Sequence, residues 1–308
     1  MTTTPPSAKA AAPAAPRKLT KAETRAVEAK TKLTSPWATA IAILMAVLWT
    51  IPTFGLLVTS IRPQASIQTS GWWTWFTNPE FTLDNYEEVL FGTGTAFSTY
   101  FVNTVVITIP AVVIPITIAL LAAYAFAWID FRGRDLLFVG MFALQIVPLQ
   151  VTLIPLLSIY VDVGLAGSFW TVWLSHSIFA LPLAIFLFHN FMKEIPRSLV
   201  EAARVDGAGH VRIFFTVLMP LLVPAIAAFT VFQFLWVWND LLVALTFAGG
   251  TPNVAPLTVR LAELSGSRGQ DWHLLSAGAF VALLVPLLIF LFGQRFFVRG
   301  LLAGGVKG

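Results

Sequence analysis

Two stretches carry side chains whose types and spacing suit chemistry beyond packing. The first, Pro196 to Pro220, reads PRSLVEAARVDGAGHVRIFFTVLMP and lies between two long apolar segments. Pro196 suits a first helical turn, where its missing N–H goes unneeded, and Gly207 suits a left-handed helix stop. Between them Leu199, Ala202, Ala203 and Asp206 recur at helical spacing on one face. That face is small in its middle and flanked by the carboxylates of Glu201 and Asp206. A partner's backbone can approach it closely while a partner arginine pairs with a carboxylate. The spacing therefore predicts a short docking helix in a loop of a membrane protein.

The second stretch, Gln233 to Asp240, reads QFLWVWND. A polyhydroxylated solute presents hydroxyls and one apolar face. A run that sets Trp236 beside Gln233, Asn239 and Asp240 offers an aromatic platform with amide and carboxylate partners. The same run equally suits interfacial tryptophans at a polar helix end. Gln145, Ser175 and His176 are further pathway candidates, weighed against the commoner role of polar groups in joining membrane helices. His189 on the same segment as His176 is read as a helix-joining residue in the same way.

No catalytic grouping accompanies them. The sequence has no G-x-x-x-x-G-K-[ST] phosphate loop, no H-E-x-x-H, no G-x-S-x-G and no cysteine. The expectation is a chain that is not an enzyme and that holds no metal and no cofactor of its own. If the process is ATP-driven, ATP and Mg belong to another subunit.

These residues must be positioned by membrane helices. Hydrophobic residues make up 57% of the chain and charged ones 11%, against about 25% charged in a soluble domain. Six apolar stretches follow one another: Trp37–Ser60, Phe101–Ile129, Leu136–Ile154, Phe169–Phe191, Phe214–Trp238 and Leu274–Phe292. Each is near the ~20 residues that cross a bilayer core as a helix. Sixteen of the nineteen Lys and Arg residues fall on one side of this pattern, the side of both termini. The positive-inside rule then puts both ends, and the Pro196–Pro220 stretch, in the cytoplasm. Basic residues confined to loops do not mark a nucleic-acid surface, so no nucleic-acid partner is expected.

The spans, up to the border residue Asp240, hold no Asp, Glu, Lys or Arg. A proton- or ion-driven carrier needs such groups to carry the coupling charge. Every span contains proline, ordinary in membrane helices but also a means of bending helices that line a pathway. Residues 1–35, rich in Thr, Pro, Ala and Lys, are expected to form a disordered cytoplasmic arm, and 36–308 the membrane domain. The cytoplasmic docking loop is expected at about 194–213, and external loops at about 61–100 and 240–273. The first external loop carries Trp72, Trp73, Trp75 and Phe76, read as an aromatic belt ahead of a docking surface for an external protein. The second is polar and Gly-rich, with a short helix near Leu257–Leu264.

Glu201-Ala202-Ala203, then three residues, Gly207, nine residues, and Val217-Leu218-Met219-Pro220 resemble the EAA loop of ABC importer permeases. Val217 and Met219 replace the usual Ile and Leu and keep an apolar side chain. The extended run EAARVDGAG and the tail from Gln294 to Gly308 resemble the carbohydrate branch, in particular subunits similar to the smaller maltose permease. The Trp238-Asn239-Asp240 run is similar to the matching stretch of sugar permeases. The resemblance spans Trp37 to Gly308. It implies an all-α, six-span type I importer permease in the cell membrane of a bacterial-type cell. It also implies a heterodimer with a second permease, an ATPase dimer, an extracytoplasmic solute-binding protein and surrounding lipid. Glu201, Ala202, Ala203, Asp206 and Gly207 are the implied ATPase contacts, with Arg299 to Gly308 as a second one. The stretch from Ser60 to Tyr86 looks most like permeases for α-glucosides such as maltose or trehalose. The alternatives are an ABC permease for another solute, a stand-alone secondary carrier and a non-transport membrane scaffold. A secondary carrier needs no ATPase and loses uptake to a protonophore while ATP stays high.

Overall fold

A computed structural model describes residues 36–92, 97–266 and 269–305, with backbone alone from 295 onward. The expected N-terminal arm lies outside the described residues, and so do the side chains of the expected C-terminal contact. All regular structure among the described residues is helical. Two compact units are distinguished, one ending at Gly55 and one beginning at Leu56.

The first helix, α1 (Pro36–Ser60), is apolar enough to cross a membrane. Past its end, Arg62 is 3% exposed and organises the loop that follows. Its guanidinium donates to Ser66 O (3.3 Å), Ser70 Oγ (2.6 Å) and Thr74 Oγ1 (3.2 Å). These bonds gather α2 (Gln64–Thr69) and the 3-10 turn Trp72–Phe76. Asn85, on α3 (Asp84–Phe91), closes the loop by donating to Ser60 O and Arg62 O.

The core is built from α4 (Phe97–Trp128) and α7 (Phe169–Glu194), which share the broadest helix–helix contact. On α4 the buried residues Ala111, Pro115, Ala119, Ala123 and Ala127 recur every fourth position. On α7, His176, Ala180, Ala184, Phe188 and Met192 do the same. Between membrane helices there is little hydrophobic drive, so association depends on close packing, which small side chains permit. Around this pair lie α9 (His210–Trp238), with a π turn at Phe214–Leu218 just before Pro220, and α12 (Trp272–Gly305).

The third expected span is not one straight helix. It is split into α5 (Arg134–Ala143), a 3-10 turn at Leu144–Ile146, and α6 (Leu149–Asp162), with a bend of 102°. Pro148 is the cause. It lacks the N–H that would continue the ladder, and it forces Val147 into extended backbone at φ −75°, ψ 118°. Among the described residues, five helices are therefore long and apolar enough to span a membrane, and six if the bent pair counts as one span. The expected second external loop is more structured than its composition suggested. It holds α10 (Leu242–Ala248), whose Val243, Ala244, Phe247 and Ala248 are buried, and α11 (Leu257–Ser265).

Three prolines in the spans have a use that the sequence pattern did not suggest. A proline leaves the carbonyl four residues before it without a helical donor. Pro110 frees Val106 O, and Trp173 Nε1 of α7 donates to it at 3.0 Å. Pro115 frees Ala111 O, and Gln233 Nε2 of α9 donates to it at 3.1 Å. Pro286 frees Ala282 O, and Trp238 Nε1 of α9 donates to it at 3.1 Å. Each breach in a backbone ladder becomes a bond between two helices, as an apolar medium requires.

Candidate coupling helix and translocation cavity

Between α7 and α9 lies α8 (Arg197–Val205), at the position expected for the docking helix. It ends as a Schellman motif. Ala208 N–H donates to Ala203 O and Gly207 N–H to Arg204 O, both at 2.9 Å. Gly207 stands at φ +79°, which a residue with a Cβ adopts only at a cost. The helix is not a free loop. Val200, 2% exposed, shares a buried cluster with Met192 of α7 and Ile213 and Phe214 of α9. Just beyond, His210 Nδ1 is hydrogen-bonded to Tyr124 Oη of α4 at 2.7 Å.

The exposed face differs from the expected one. Burial of Val200 turns its neighbour Ala203 partly inward against the core, away from a partner. Glu201, Ala202, Asp206 and Gly207 remain exposed. Val205 joins them at 88% exposure and Val211 at 73%. These two valines were missed. Their sign in the sequence is a β-branched apolar residue on the polar side of a short helix and loop. Among the described residues neither Glu201 nor Asp206 has a cation within ion-pair distance. The face is thus a small apolar patch bordered by two free carboxylates. Arg134 and Lys193 line one recess with His189, which places the start of α5 at the same end of the bundle.

A cavity of about 660 Å³ opens among α6, α7, α9 and the bend after α5. Gln145 of the 3-10 turn and Thr152 of α6 line it on one side; Phe179, Phe232, Gln233 and Trp236 line it on the other. Among the described residues, no charged side chain faces it. Three of the seven expected pathway residues, Gln145, Gln233 and Trp236, therefore meet at one space. Two more stand behind Trp236. The His176 ring meets the Trp236 ring edge-on, with centroids 5.3 Å apart, and its Nε2 lies 3.5 Å from Asp240 Oδ2. Asp240 accepts the N–H groups of Val243 (3.2 Å) and Ala244 (2.8 Å), and so holds the start of α10 against this layer. A carboxylate at that end also faces the positive end of the helix.

The other two are elsewhere. Ser175 is buried with its Oγ 3.1 Å from Tyr160 Oη, a bond between α7 and α6. Asn239 is exposed and donates to Leu235 O of its own helix at 2.8 Å. Asp240 is also more than a border residue. It turns inward and puts a carboxylate beside a fully buried histidine.

A helical membrane protein with a tethered, carboxylate-edged loop helix at one end and an uncharged cavity between its spans has the makings of a transport subunit. The chain belongs to the family of binding-protein-dependent transport system inner membrane components, whose model matches residues 98–302. It is a membrane permease and not an enzyme, and family membership sets aside the stand-alone carrier. Over 272 residues it is 54% identical to an osmoprotective compounds uptake permease of Synechocystis sp., covering 87% of this chain and 91% of that one. Over 237 residues it is 50% identical to an alpha-glucoside transport system permease of Rhizobium meliloti, covering 75% of this chain and 62% of that one. The fold matches a chain of a bacterial ABC transporter that imports the acidic polysaccharide alginate. The TM-score is 0.71 at 21% identity, over 85% of this chain and 98% of that one.

Proposed function

We propose that this chain forms half of the translocation pathway of an ATP-driven importer for a neutral α-glucoside. A second permease supplies the other half, a pair of ATPase subunits binds ATP and Mg on the cytoplasmic side, and an extracytoplasmic binding protein delivers the sugar. Both termini and α8 face the cytoplasm, in keeping with the one-sided distribution of Lys and Arg. Lipid surrounds the exposed apolar faces.

The observation that carries this reading is the construction of α8. A helix that exposes Glu201, Ala202 and Val205 is fixed through Val200 to the same buried cluster that holds α7 and α9 together. An ATPase cleft that grips the exposed face moves two membrane-spanning rods with it. ATP binding closes the ATPase dimer, α8 follows, and the cavity opens to the outside; hydrolysis resets it. Arg299 to Gly308 form a second ATPase contact.

Two relatives speak to the substrate, one by its name for osmoprotective compounds and one for alpha-glucosides. The cavity lining, without a charged group, suits a neutral member of that set such as trehalose or maltose. It does not suit a phosphorylated or acidic sugar, whose charge would lose its hydration unpaired.

The test is uptake by a strain lacking this chain, compared with the same strain complemented. The panel is trehalose, maltose, monosaccharides, polyols and glycerol 3-phosphate. Loss confined to an α-glucoside and restored by the intact chain is expected. Loss confined to glycerol 3-phosphate, or to no compound, contradicts the substrate assignment.

A further inference from the structure

We propose that Gln233 is a sugar-binding residue of the cavity, accepting a hydrogen bond from one hydroxyl of the transported glycoside, whose apolar face lies on Trp236. The inference rests on the reading of this chain as a sugar permease and deepens it to one atom.

The argument begins with the amide itself. Gln233 is fully buried, at 0% exposure. Its Nε2 donates to Ala111 O at 3.1 Å. That carbonyl is available because residue 115, four positions on, is proline and brings no N–H. A carbonyl can only accept, so the orientation of the amide is fixed: the nitrogen faces α4 and the oxygen is left over. Gln233 Oε1 is buried and has no hydrogen-bond partner among the described residues. Such a group costs stability unless something satisfies it.

What satisfies it must be a donor, and the surroundings limit its chemistry. Gln233 lines the 660 Å³ cavity, within the ~300–1,000 Å³ of small-molecule sites. Trp236, one turn on along α9, lines the same space, with Phe232 and Phe179 beside it. Aromatic walls suit the C–H face of a pyranose ring. A hydroxyl is a neutral donor, whereas an ammonium donor would bring a charge that no lining side chain can pair. Trp236 is itself braced from behind by His176, and His176 by Asp240. The aromatic platform is therefore held in place before the sugar arrives, whereas Gln233 Oε1, buried from water, meets the hydroxyl only as the cavity wall parts around it.

A plain Gln233 substitution would confound binding with the loss of the α9–α4 bond, and Pro115 gives the means to separate them. Pro115→Ala restores the backbone N–H, so Ala111 O is satisfied without Gln233. The experiment uses the complete transporter, with partner permease, ATPase and binding protein, in proteoliposomes. It measures maximal uptake of trehalose, maltose and those of their monodeoxy forms that the unaltered transporter carries. Saturating binding protein is used, so that delivery is not limiting. In the Pro115→Ala background, Gln233→Leu is expected to slow uptake of the parent sugars about three- to tenfold, the worth of one neutral hydrogen bond. One monodeoxy form, lacking the donating hydroxyl, should be carried equally well with and without Gln233→Leu in that background. Equal rates for all sugars overturn the proposal and leave Gln233 as a helix-joining residue alone. An equal loss for parent and every deoxy form overturns it too. If the unaltered transporter carries neither trehalose nor maltose, the sugar reading itself falls, and that result is distinct because it needs no variant.

Discussion

The two ends of the α7–α9 pair handle polar groups in opposite ways. At the α8 end, Glu201 and Asp206 stand in the open and the anchoring is apolar, through Val200, Met192 and Ile213. At the α10 end, Gln233, His176 and Asp240 are turned inward: Gln233 and Asp240 bond to neighbouring helices, and the His176 ring lies against Trp236 and 3.5 Å from the Asp240 carboxylate. An exposed carboxylate gains little from its own chain and remains free for a partner. A buried one has strict geometric demands, and it fixes whatever meets them. The α8 end thus leaves its carboxylates free, and the α10 end holds its shape around a small cavity.

That contrast can be broken most severely at the exposed end. Gly207→Pro and Glu201→Lys should each bring uptake to background while leaving the amount of protein in the membrane near normal, as judged by immunoblot. Gly207→Val adds the left-handed backbone strain of about 1–2 kcal/mol. Gly207→Asn should keep most transport, since asparagine tolerates that conformation and an added Cβ meets no atom within 4 Å. At the buried end the loss should appear first in stability. Asp240→Ala leaves the Val243 and Ala244 N–H groups without acceptors, at about 2 kcal/mol, read as a lower unfolding temperature in detergent. Val200→Ala removes about two methylenes from the anchor of α8, about 1.5 kcal/mol. It should weaken coupling of ATP hydrolysis to uptake more than it lowers the unfolding temperature. Tyr124→Phe, which breaks the bond to His210, should cost about 1 kcal/mol and give the smallest change in uptake.

The α8 end was readable in the sequence because its determinants are local. Pro196, the helical spacing and Gly207 lie within a dozen positions, and the Schellman stop follows from the chain's own backbone. The sense in which Ala203 faces was not readable, since it depends on Val200 meeting residues of α7 and α9. The cavity end depends on distant pairs. Nothing near Pro115 announces Gln233, and nothing near Pro286 announces Trp238, yet each proline made a vacancy that only another helix could fill. A composition rule described those prolines as ordinary and missed that use. Pro148 shows the same limit: the apolar run suggested one span, and a single missing N–H with its effect on Val147 produced a 102° bend. Ser175 and Asn239 had the right chemistry for a pathway, but Ser175 is turned to helix joining and Asn239 bonds its own helix away from the cavity, a matter of rotation about the helix axis that composition does not encode.

The chain has no cysteine, so a single introduced thiol reports on one position of this subunit. The most direct measurement is cross-linking of Ala202→Cys to the ATPase subunit in the assembled transporter, with the buried position Val200→Cys as control. A covalent adduct at position 202, formed from the cytoplasmic side and absent at position 200, is the predicted result. No adduct at position 202, or one formed only by reagents acting from outside the cell, would contradict the assignment of α8 as the contact through which ATP moves the permease.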